Sequence, residues 1–170
     1  MEVVADGEPR LYEQVPPGGL FATYLDRDFR YCLKTLAHGD EGQDHPAVVL
    51  APGHDDYDGQ PGILAESYFN DTTVVYLPSA RLTLSSARAA LSPMDDHRRS
   101  GEVICQLSQH NLPTTRTHMI VGDPHKRLVC VHLADGHIGP LNLSRKAMIY
   151  RSWSIMVPSS SGVVELARYP

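Results

Sequence analysis

Long hydrophobic runs are missing from this sequence. No apolar stretch approaches the roughly 20 residues that a bilayer-crossing helix needs. Residues Met1 to Glu8 hold neither a basic cluster nor an extended apolar core, so no secretory leader is expected and a soluble, cytoplasmic protein is. An excess of positive charge is missing too. Fifteen Lys and Arg stand against twenty Asp and Glu, a formal net charge of −5. Nucleic-acid binders present a basic face to phosphates, so nucleic acid is disfavoured as a partner. Cysteine is scarce: Cys32, Cys105 and Cys130 are odd in number and far apart, which reads neither as a disulfide framework nor as a zinc knuckle. Cys32 and Cys130 sit inside apolar runs and read as small buried hydrophobes. The signatures of common chemistries are missing as well. There is no Gly-x-Ser-x-Gly elbow, no phosphate-binding loop, no dinucleotide Gly-x-Gly-x-x-Gly and no His-Glu-x-x-His.

Proline and glycine, by contrast, are plentiful, at 13 each. They punctuate the 170 residues too often for long helices and suit many short strands. The central stretch is Arg127 to Gly136, an apolar run closed by Asp135-Gly136. It follows Thr117 to Val121 and the turn-forming Gly122-Asp123-Pro124, so the pair reads as a hairpin. Earlier, Leu20 to Leu25 and Phe29 to Leu36 read as another hairpin. Pro46 to Pro52, Thr73 to Leu77, Arg81 to Leu84, Pro140 to Leu143, Ser154 to Pro158 and Val163 to Ala167 read as further strands. Residues 1 to 10 read as loose. Between Ser86 and Arg99, helix formers and a Ser92-Pro93 start signal predict a short helical insert, while Glu102 to Gln109 fits either helix or strand.

The order of events recurs. In each half an extended run meets an acidic turn, then an Arg-led apolar strand ending Leu-Ala-x-Gly, then a Pro-led short strand. An internal duplication is therefore expected. The fold class expected is mainly β: a small β-barrel, or two related barrel-like halves, with a short helical insert. The divisions are residues 1–14 as a flexible N-terminus, 15–84 as a first β region, 85–110 as a helical linker and 111–170 as a second β region.

Two groups of residues invite a ligand. His118 and His132 lie on the second hairpin, with His137 just beyond. An odd number of turn residues puts His118, Cys130 and His132 on one face; an even number turns His118 away. Two imidazoles with a thiolate or carboxylate would suit zinc. Arg127, and Trp153 within Tyr150-Arg151-Ser152-Trp153, are further candidate contacts, because aromatic and Arg residues commonly anchor binding surfaces. A core position is the alternative for Trp153. In the acidic loop His54-Asp55-Asp56-Tyr57-Asp58-Gly59, oxygen donors alternate as a hard cation requires. His54, Asp56 and Asp58 are thus candidate metal ligands, although His54 stands where a calcium loop needs an acid. A Cys130–His132 nucleophile is disfavoured, since apolar surroundings raise a thiol pKa.

The function expected is a non-catalytic binding or assembly module. Its rival is a metal-dependent β-barrel enzyme using the clustered histidines. The composition leaves a protein or small-molecule partner, self-association into a homo-oligomer, and the identity of any cofactor open.

Overall fold

A computed structural model of the chain describes residues 7–25, 27–36, 46–51, 59–85, 89–92, 98–107, 113–123, 125, 127–140, 147–160 and 162–170. They are mainly β. In chain order the strands are β1 (Glu8–Leu11), β2 (Leu20–Leu25), β3 (Asp28–Lys34), β4 (Ala47–Ala51), β5 (Gly62–Leu64), β6 (Thr73–Tyr76), β7 (Arg81–Leu84) and β8 (Ala89–Ser92). They continue as β9 (Val103–Leu107), β10 (Pro113–Gly122), β11 (Leu128–His132), β12 (Ile138–Pro140), β13 (Ala147–Tyr150), β14 (Trp153–Ser159) and β15 (Gly162–Tyr169). Among the described residues, 3-10 turns at Tyr12–Gln14 and Glu66–Tyr68 join the early strands.

Twelve strands form one sheet in the order β1-β6-β2-β3-β4-β5-β10-β9-β13-β8, with β11 and then β12 branching from β10. The other three form a small sheet, β15-β14-β7. No closed barrel is found among the described residues. The predicted helical insert is corrected: Ala89–Ser92 pairs antiparallel with β13, and β13 pairs in turn with β9. Good helix formers there are held extended by strands distant in sequence, a constraint that local propensity does not carry. Residues 86–88 and 93–97 of that stretch lie outside the described residues. The expected loose N-terminus is also corrected from Glu8 on, because β1 pairs with β6.

A three-stranded antiparallel meander occurs twice, as β2-β3-β4 and as β10-β11-β12. The later parallels in sequence order diverge: β6 joins β2 in the large sheet, whereas β14 belongs to the small one. The two meanders meet at a backbone seam. Leu36 N donates to Gly136 O at 2.9 Å across it, beside the bond that Gly18 N gives to Lys34 O at 2.8 Å within the first meander. Gly18 and Gly136 both have positive φ there, +78° and +71°.

Three clusters fill the interior. The main core lies between the sheets. Leu33, Val48, Leu50, Val103, Met119, Val121 and Val131 meet Trp153 and Ile155 of β14. The strand β14 shows the period-2 logic plainly: Trp153, Ile155 and Val157 are buried, and Ser154, Met156 and Pro158 are not. On the other side of the large sheet, Tyr12, Phe21, Cys32, Val49, Phe69 and Val74 form a second cluster. Ile104, Ile120, Cys130 and Ala147 form a third. A strand between two clusters has no polar face, which explains the wholly apolar Ala47–Ala51: Val48 and Leu50 join the main core, Ala47 and Val49 the second cluster. All three cysteines are free and buried.

Candidate functional site

The register of β10 and β11 resolves the parity left open by the sequence. Gly122 pairs with Leu128, leaving the five residues 123–127 in the turn, and His118 stands directly opposite His132. Asp123 sets that turn length. Its Oδ1 accepts from His125 N at 2.9 Å and Arg127 N at 2.8 Å, and its Oδ2 accepts from Arg127 Nε at 2.7 Å. Burial works to raise the Asp123 carboxyl, but the Arg127 amide and guanidinium and the His125 amide outweigh it and hold the group below its usual range.

Leu133 N donates to Thr117 O at 3.0 Å, so positions 117 and 133 are a hydrogen-bonded pair. The neighbouring 118 and 132 are then a non-hydrogen-bonded pair, the kind that brings facing side chains closest. The two imidazole centres lie 5.1 Å apart with a 42° tilt. On the far side of β11, His132 N donates to His137 O at 2.9 Å, which brings His137 alongside. Three histidine positions thus lie in a row, on β10, on β11 and on the residue that leads into β12.

The row is tied down at one end. Asp135 Oδ1 lies 2.7 Å from His132 Nδ1 and accepts from His137 N at 3.0 Å. The His137 amide, aided by the His132 ring, holds the Asp135 carboxyl below its ordinary value against the opposing effect of burial. In the sequence Asp135 reads only as a turn residue; an Asp three positions after a strand histidine is the signal that would have found it. The other end is free. His118 Nδ1 is buried and has no hydrogen-bond partner among the described residues. Burial, then the neighbouring His132, lowers the His118 pKa; Asp135 opposes this, while Arg116 and His137 add to it. His118 is therefore neutral at pH 7, and a neutral ring keeps a nitrogen lone pair.

The other predicted contacts are elsewhere. Arg127 lies five residues from His132 along the strand, about 16 Å at 3.3 Å per residue, and its guanidinium is committed to Asp123 at 2.7 Å. Trp153 is 1% exposed, stacks on Tyr169 at 5.2 Å and donates from Nε1 to Gly101 O at 2.9 Å, so it anchors the small sheet to the large one. His54, Asp56 and Asp58 lie outside the described residues. Cys130 shares the face of the histidines, but burial pushes its thiol up to about 11. Among the described residues no three His, Cys, Asp or Glu side chains are placed to hold a metal ion together. No described helix is long and apolar enough to cross a membrane.

Clefts indent the surface among the described residues. One of about 410 Å³ runs beside Ser152, Ser154, Arg168 and Tyr169. A second of about 250 Å³ is mainly apolar, with Phe29, Tyr31 and Val75 in its wall. A third of about 190 Å³ lies along Gly18, Leu33 and Tyr76. None of them includes the histidine row.

No protein-family model, curated protein or solved structure matches the chain.

Proposed function

We propose that the chain is a non-catalytic binding module whose ligand seat is the ribbon face bearing His118 and His132, with Asp135 and His137 beside them. The single observation that carries this reading is the buried His118 Nδ1, which has no hydrogen-bond partner among the described residues. A buried polar atom left unpaired costs about 1–3 kcal/mol, and native proteins keep few such atoms without a reason. A ligand that engages this nitrogen recovers that cost. The thiols support the non-catalytic half. Burial raises Cys32 and Cys130 above the usual thiol range, so neither is a ready thiolate. The repeated meander, with a separate outer cluster under each copy, supports the further reading that one β unit is present twice. Whether either copy is barrel-like belongs to that same proposal.

The test is imidazole-detected 15N NMR during titration with a panel of nucleotides, sugars, amino acids and small carboxylates, chelator present throughout. Binding that moves the His118 and His132 resonances, with the ligand recovered unchanged after hours, is the expected result. Conversion of a panel compound, lost in His118→Leu, would show catalysis and overturn the reading. So would ligands whose shifts all map away from these two rings.

A further inference from the structure

We infer that His118 and His132 form a two-imidazole chelate for a divalent transition cation of the zinc type. The inference rests on the reading that this face is the ligand seat, and it names the ligand.

Geometry comes first. A Zn–N bond of about 2.0–2.1 Å places the metal roughly 3.2 Å from the centre of an imidazole, and a tetrahedral angle then sets two such rings about 5.2 Å apart. The observed separation is 5.1 Å. The backbone enforces it, because the rings project from a non-hydrogen-bonded cross-strand pair on a ribbon whose turn Asp123 fixes.

Ligand orientation comes second. Metal-bound histidine commonly gives its other ring N–H to a carboxylate, which selects the tautomer and aims the lone pair. Asp135 stands in that relation to His132 Nδ1 at 2.7 Å and is itself held by the His137 amide, leaving Nε2 as the donor atom. His118 Nδ1 is committed to nothing among the described residues. Imidazole pairs favour zinc, nickel and copper over calcium or magnesium, which seek oxygen.

Coordination number comes third. With no third described side chain completing a preformed cluster, the cation would keep two positions for water, for the adjacent His137 or for an outside ligand. Closed structural zinc sites fill four positions from the protein; open ones are where metal-bound ligands exchange. This site belongs to the open kind.

The experiment uses the chelator-stripped 170-residue chain titrated with zinc chloride, followed by calorimetry and by imidazole 15N NMR. The expected result is one equivalent bound, with the largest shifts at His118 and His132. His118→Gln and His132→Gln should each weaken binding by at least about tenfold, and Asp135→Asn by about tenfold. Urea unfolding of each variant in chelator checks that it is folded, and the wild-type shifts need no variant at all. Unchanged affinity in both Gln variants, or shifts confined to other histidines, would overturn the chelate. If zinc moves neither ring but a compound of the organic panel does, the chelate falls and the binding reading stands. If nothing moves either ring, both fall.

Discussion

A side chain at Gly136 would bring its Cβ to 2.6 Å from the carbonyl oxygen of Lys34, an approach that only glycine permits. The contact sits on the seam between the two meanders, where Leu36 N donates to Gly136 O and Gly18 N donates to Lys34 O. Gly136 also has φ +71°. Gly136→Ala therefore meets both backbone strain and a clash with backbone atoms that cannot rotate away. The expected loss is about 2–3 kcal/mol. Gly139 is the control: no atom among the described residues lies within 4 Å of its would-be Cβ. Gly139→Ala should stay within about 0.5 kcal/mol of wild type. Urea unfolding of the two variants checks the difference, and equal stabilities would remove the seam's role.

Trp153 offers a second measurement because it is the chain's single tryptophan. Trp153→Phe keeps a ring against Tyr169 but removes the Nε1–H that Gly101 O accepts at 2.9 Å. A buried carbonyl then loses its partner, at a cost of about 1–3 kcal/mol. The Tyr169 ring packs closely against Gly101, where an added Cβ would fall 2.3 Å from it, and the Tyr169 hydroxyl donates to Ser100 O at 2.9 Å. Thermal unfolding followed by circular dichroism should show the loss. In the wild type, Trp153 fluorescence should change only with the global transition. An earlier change would mean that the small sheet detaches first.

How far the sequence could be read follows from which interactions are local. Leu20–Leu25 and Arg81–Leu84 are legible to the residue, because their strand-forming composition and flanking turn residues are local signals. The histidine pair is legible up to one parity, and a carboxylate four residues upstream of the arginine that leads the second strand decides it: Asp123 draws in the amides of His125 and Arg127 and closes a five-residue turn. The strands β8 and β9 are not legible. Ala89-Ala90-Leu91 prefers helix, and only pairing with β13, more than fifty residues on, extends it. The split into two sheets is hidden for the same reason: β7 finds its neighbour β14 about seventy residues later. Trp153 and Arg127 look like surface anchors by residue type, yet burial and an ion pair respectively occupy them.

His118 predicts a pH dependence with a definite sign. Its folded pKa is lowered from 6.5, first by burial and then by His132, with Arg116 and His137 in the same sense and Asp135 opposing. Between the folded value and 6.5 the unfolded chain binds more protons, so unfolding free energy rises with pH in that window. The contribution is complete above about pH 6.5 and is lost as pH falls through the folded value. Urea midpoints at pH 7.5, 6.5 and 5.5 should decline toward acid in the wild type. His118→Gln should flatten that decline, and an undiminished slope in the variant would assign it to other groups.

Asp123 supplies the opposite end of the acid range. Its carboxyl is held below 3.8 in the folded chain because the Arg127 amide and guanidinium and the His125 amide prevail over burial. Depressed carboxylates stabilise fully above their unfolded value, and the stabilisation drains as pH falls through the folded one. The turn should thus weaken below about pH 3.8, near the ordinary Asp range. Asp123→Asn keeps the size of the side chain but removes the charge, so the bonds to Arg127 lose their charge assistance at a cost of about 1–2 kcal/mol at neutral pH. As pH falls through the depressed folded value the carboxyl itself becomes neutral, and the difference between variant and wild type should narrow. Because this turn sets the register that faces His118 with His132, the variant should also broaden the His118 and His132 imidazole resonances at pH 7. Sharp, unshifted resonances in a variant destabilised as expected would mean that the strands hold their register without Asp123.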